Sequence, residues 1–126
     1  MEHPIVEKIL KEGINSVNLS MLDEATRKSI LSHVGVKLYK QNKIAEAAEI
    51  LGKAGDFEKL KKLGDEFVEQ SKGELAALCF IPTKDRERLN NAAIMCIQAK
   101  NYRLAADAYK AAGNMPMAEF MEKNFC

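Results

Sequence analysis

Few side chains in this sequence are suited to chemistry. Its two imidazoles are His3 and His33, and neither has an Asp, Glu or Cys at the spacing of a metal-ligand cluster. The three thiols, Cys79, Cys96 and Cys126, are odd in number and widely separated, which argues against a disulfide framework and suits a reducing compartment. Cys79 adjoins Phe80 in a short apolar stretch, Cys96 lies among apolar residues, and Cys126 is terminal and reactive only by accident. None of the seven glycines builds a Walker or dinucleotide phosphate loop. Asp65-Glu66 falls among lysines, the usual setting of a solvated helix face. Met95, Met115, Met117 and Met121 could form a soft binding patch, although core and end packing accounts for them as well. With no acid, base and nucleophile in combination, the expectation is a non-enzyme without cofactor, metal or small-molecule substrate.

Composition narrows the partners. Among 126 residues, 47% are apolar and 29% charged, ordinary for one soluble domain, and 19 basic against 18 acidic side chains leave a net charge of +1. That balance makes no general electrostatic case for nucleic acid or an anionic membrane. The most basic run, Arg27, Lys28, Lys37, Lys40 and Lys43, is spread over several helical turns. No stretch approaches the roughly 18 apolar residues of a membrane span, and no signal-peptide core is visible, so a cytoplasmic protein without membrane insertion is expected.

The elements that position these residues follow from one stretch. Leu89, Ala92, Ala93 and Cys96, then Ala105 and Tyr109, read as a helical hairpin interrupted at Lys100-Asn101 and stopped by Gly113-Asn114 and Pro116. A step of 29 positions back gives Leu60, Leu63, Gly64, Phe67, Ala76 and Phe80; a second step gives Leu31, Val34, Gly35, Leu38, Ala47 and Leu51. One column holds only Gly or Ala and another holds Ala each time, so two antiparallel helices can approach closely in every unit. This ungapped agreement is an internal repeat. Cys96 shares a column with Leu38 and Phe67 and therefore reads as core, as does Met121.

Taken in order, residues 2–12 form a short amphipathic helix from Pro4 to the stop at Gly13, with Ile5, Val6, Ile9 and Leu10 on one face. The same step places Leu22 and Ala25 in the column of Leu51 and Ala54, which predicts a degenerate first hairpin over 1–27 with a connector at Asn15-Ser16-Val17-Asn18 and an N-cap at Ser20 ahead of Asp23 and Glu24. Repeats follow over 28–56, 57–85 and 86–114, with a terminal helix at 115–126. Their punctuation is a turn at Gln41-Asn42-Lys43, a C-cap at Gly55, N-caps at Asp56 and at Thr83 or Asp85, and a break at Pro82. Since no hairpin covers its apolar faces alone, the units must stack.

Leu60-x-x-Leu63-Gly64-x-x-Phe67 followed by Ala76-x-x-x-Phe80 resembles the tetratricopeptide pattern, and the set from Leu31 to Ala47 repeats it more loosely. The 29-residue period is shorter than that family's roughly 34 and is similar to the hairpins of coatomer, clathrin heavy-chain and intraflagellar-transport solenoids, as are the phrases around Ala54-Gly55-Asp56-Phe57 and Asn101-Tyr102-Arg103. The resemblance covers residues 28–126. It implies an all-α, right-handed α-α superhelix of about three to four hairpins plus a C-terminal helix, in a single domain over 1–126.

The resemblance also implies a function: a protein-protein interaction scaffold, placed as the C-terminal part of a vesicle-coat or intraflagellar-transport-like trafficking subunit. The binding surface would be the first-helix face: Ser32, Val36, Tyr39 and Lys40; Lys61, Asp65, Val68 and Glu69; Asn90, Ile94, Ile97 and Gln98. The Lys and Asn clamp that some tetratricopeptide proteins use for a peptide carboxylate is incomplete, because only Lys61 and Asn90 fall at suitable columns. The alternative is an RNA-binding helical repeat, against which the apolar Tyr39, Val68 and Ile97 columns speak. The expected partner is another protein or peptide, and the apolar terminal helix suits a homodimer.

Overall fold

The computed structural model describes residues 4–14 and 17–126, and among these it is built of α-helices and no strand. His3, Asn15 and Ser16 lie outside the described residues. The eight helices are α1 (Pro4–Glu12), α2 (Glu24–Lys40), α3 (Ile44–Lys53), α4 (Phe57–Glu69), α5 (Gly73–Phe80), α6 (Arg86–Gln98), α7 (Tyr102–Ala111) and α8 (Met115–Phe125). By its contacts the chain divides into two compact units, one ending at Asp56 and the other spanning Phe57–Cys126.

In the first unit α1 and α3 each pack on α2. Val6 and Ile9 of α1, Ile30, Leu31, Val34 and Leu38 of α2, and Ala47 and Ile50 of α3 form its core. Gly35 is required here: a Cβ at that position would stand 2.5 Å from Leu51 Cγ and 2.6 Å from Cδ2, closer than packed carbons come. The first hairpin departs from expectation, because residues 17–22 form bends and a turn where its second helix was expected. Local polar bonds explain the difference. Both the backbone N–H and the hydroxyl of Ser20 donate to Asn18 Oδ1, at 3.0 and 2.6 Å, offering the chain an alternative to helix. Asp23, and not Ser20, is the N-cap of α2, accepting from the Thr26 N–H at 2.7 Å. α2 accordingly begins four residues before the expected start at Lys28 and absorbs Ala25. Val17, Leu19 and Leu22 still pack against the core, from irregular backbone.

The second unit runs α4 to α8, with each helix packed on the next. Gly64 lies directly against the ring of Phe80, so no side chain fits there. Leu60, Ala76, Ala77, Phe80, Leu89, Ala92, Ala93, Cys96, Ala105, Ala106, Ala108, Tyr109, Ala118 and Met121 are buried. Pro82 ends α5 in a 3-10 turn, Ile81–Thr83. Thr83 and Asp85 share the capping role expected of either: Thr83 Oγ1 donates to the Phe80 carbonyl at 2.6 Å and accepts from the Asp85 N–H at 3.2 Å, while Asp85 Oδ1 accepts from the Arg88 N–H at 3.1 Å. Asn101 and Asn114 cap α7 and α8.

Helix ends are closed by left-handed residues. Gly13, Asn42, Ser71 and Lys100 have φ of 98°, 63°, 59° and 64°, and Gly55, Lys84 and Gly113 have φ of 73°, 58° and 77°. After Asn42, Ser71 and Lys100 the next N–H reaches back five positions in the manner of a Schellman cap: Lys43 to Leu38 at 2.9 Å, Lys72 to Phe67 at 2.8 Å and Asn101 to Cys96 at 2.9 Å.

Candidate protein-binding surface

The first-helix residues divide by what they touch. In the first unit Ser32, Val36 and Tyr39 are half-buried and Lys40 is exposed. Tyr39 packs against the unit's core. The Ser32 hydroxyl donates to Asp56 Oδ2 at 3.2 Å. In the second unit Lys61, Asp65, Asn90 and Ile97 are half-buried, whereas Val68, Glu69, Ile94 and Gln98 are exposed.

An ion-pair network ties α4 to the start of α6. Arg88 Nε donates to Asp65 Oδ1 at 2.9 Å and Nη2 to Oδ2 at 2.8 Å, a two-pronged contact between guanidinium and carboxylate. Arg88 Nη1 donates to Asp85 Oδ2 at 2.7 Å, and Lys61 Nζ stands 3.8 Å from that same oxygen and 3.7 Å from Glu58 Oε1. These bonds, to Asp65 first and Asp85 second, push the Arg88 pKa further up. Partial burial works against the charge on Asp85, yet the N–H and guanidinium of Arg88 and then the Lys61 charge hold its carboxyl below the ordinary value.

Sequence spacing alone missed Arg88. It also missed that Ser32, Lys61 and Asn90, taken as one binding column, all have partners: Asn90 Oδ1 accepts from Asn114 Nδ2 at 3.2 Å. Each partner, Asp56, Asp85 or Asn114, lies 24 residues further on and immediately precedes a helix. A search for polar pairs at that fixed offset would have found them. Among the first-helix residues singled out in the second unit, the exposed apolar ones are Val68 at 38% and Ile94 at 50%, and Glu69 and Gln98 are exposed polar ones.

The thiols are not poised to react. Burial pushes Cys79 up to about 12, and burial followed by the Glu74 charge pushes Cys96 up to about 11. Cys96 Sγ also contacts the Gly73 carbonyl at 3.8 Å. His33 is exposed on α2, and among the described residues no group of His, Cys, Asp and Glu could hold a metal ion. No helix among them is long and apolar enough to cross a membrane. No family model matches the chain, and neither the curated proteins nor the solved structures compared with it gave a match.

Proposed function

We propose that the chain is a non-catalytic helical-repeat module, with a tetratricopeptide-like superhelical arrangement of 29-residue hairpins, that binds another protein through the exposed face of its first helices. The repeat reading is supported by three sets of positions that recur at 29: the left-handed residues 13, 42, 71 and 100 with 55, 84 and 113; the close contacts of Gly35 with Leu51 and Gly64 with Phe80; and the polar ties 32–56, 61–85 and 90–114. A hairpin that repeats its turns, its tightest contact and its link to the next helix is the unit of a stacked array.

The observation that carries binding is the exposure of Val68 and Ile94 on α4 and α6. Branched apolar side chains held on rigid helices lose little entropy on contact, and their desolvation drives association. The double variant Val68→Asp with Ile94→Asp is expected to abolish recovery of the physiological partner while far-ultraviolet circular dichroism stays unchanged. Undiminished recovery by a folded variant would remove this face from the reading. Binding is also expected to weaken only modestly between low and moderate salt, in contrast with the steep loss of a phosphate-backbone ligand.

A further inference from the structure

The face proposed above is apolar at Val68 and Ile94, and the charge beside it decides what can be set against it. A groove of about 470 Å³ along α4 is lined by Glu58, Asp65, Glu66 and Glu69 and by Lys61, Lys62 and Arg88. Two of its three bases are already engaged. Arg88 gives two bonds to Asp65 and a third to Asp85, and Lys61 lies between Asp85 and Glu58. That network holds two cations and three carboxylates. Lys62 is the remaining base; set against Glu66, one helical turn on, it still leaves Glu69 and the third carboxylate of the network without a countercharge. The groove is therefore negative after every base in it has been counted.

The backbone adds the same sign. Glu66 and Glu69 are exposed in the last turn of α4, where the carbonyl end of the helix dipole is itself negative, and that turn holds no basic residue. A lysine occupies the last turn of α1, α2, α3, α7 and α8. The next base along the chain, Lys72, heads α5 and lines a different cavity with Glu74. Carboxylates at a helix C-terminus cost stability, and a cation brought to them offsets that cost. Val68 belongs to the same turn. By the 29-residue step Ile94 holds the position of Asp65 and Gln98 that of Glu69, so α4 presents the acids where α6 presents an apolar side chain.

We infer that the Val68–Ile94 face binds a protein segment that sets an apolar side chain on Val68 and Ile94 and carries a Lys or Arg within four residues of it, against Glu66 and Glu69. The inference rests on the reading of this face as the binding surface and names the chemistry of its partner. A phosphate backbone is repelled by the same charge.

The probe is a phage-displayed library of random dodecapeptides, panned on the immobilised full chain with the Val68→Asp, Ile94→Asp double variant as counter-target. Selected peptides are expected to combine an apolar residue with Lys or Arg at most four positions away. The strongest, synthesised and titrated by fluorescence anisotropy, is expected to bind the parent about tenfold more tightly than the Glu66→Lys, Glu69→Lys variant, the scale of one or two close charge pairs. Exchange of the peptide's basic residues for Glu should reverse that order. Without peptide, the charge-reversed chain should melt about 1–4 °C above the parent, because the last turn of α4 loses its like charges. A lower melt would mean that Glu66 and Glu69 already have cations within the chain, and overturns the inference. Peptides that need Val68 and Ile94 but bind the parent and the charge-reversed chain alike leave the face as a binding surface and overturn the inference alone. If no peptide separates the parent from the counter-target, the face itself falls. A concentration-dependent dimer, seen by light scattering and dissolved by charge reversal, assigns the face to a second copy and likewise overturns the inference.

Discussion

At the scale of single residues, charge and burial make two measurable statements. Cys79 and Cys96 sit in the core with thiols raised to about 12 and 11, while Cys126 is exposed. Since the thiolate is the nucleophile, one equivalent of a disulfide reagent should react quickly at pH 8 in the folded chain, and the other two only with unfolding. Prompt labelling of all three would contradict the packing of α5 and α6. Asp85 gives the second statement. Its depressed pKa means that its charge contributes stability above the ordinary Asp range and loses that contribution as pH falls through the lower folded value. Asp85→Asn keeps an N-cap oxygen and removes the charge seen by Arg88 and Lys61. Urea melts at pH 7 should place the variant about 1 kcal/mol or less below the parent, because Arg88 is partly solvated. As pH falls below the ordinary Asp range the gap should narrow; a gap that does not change with pH would assign the effect to packing.

Elements were legible where apolar spacing and backbone punctuation agreed. Pro82, Gly55, Gly113 and the apolar columns placed α3 to α8 close to where they form. They agreed because the small-residue column is a packing constraint: Gly64 against Phe80 leaves no room for a Cβ. The first hairpin misled because Leu22 and Ala25 match their columns by type, while the Asn18 and Asp23 side chains accept from the backbone N–H groups of Ser20 and Thr26 and set the helix start at Glu24. Spacing reports which residues are apolar; it does not report such competition. Arg88 was invisible for another reason, since its bonds to Asp65 join residues 23 apart on different helices. The helix contact itself can be tested. Gly64→Ala should cost about 1–3 kcal/mol in denaturant melts, since the Phe80 ring, buried at 1% exposure, must move aside. An unchanged midpoint would mean that α4 and α5 do not approach as closely as described.

At the scale of the whole molecule, the two units pack their own cores. Residues up to Asp56 enclose a cluster built from α1, α2 and α3, and the second unit encloses one that runs from Leu60 to Met121. In a stacked array stability is local, a sum of unit terms and nearest-neighbour terms, so damage should stay near where it is done. Gly35→Leu makes the case testable, because it drives a side chain into Leu51 within the first unit alone. Native-state hydrogen exchange should then rise by at least about tenfold in α1 to α3, the equivalent of roughly 1.4 kcal/mol of local stability, while amides of α6 and α7 exchange as in the parent. A uniform rise across all helices would instead mean that the chain unfolds as one cooperative body, and the repeat would be a pattern of sequence without independence of its units. Under the proposed reading the distinction bears on binding, because locally stable units would let α4 and α6, which carry Val68 and Ile94, keep their shape when another part of the chain opens.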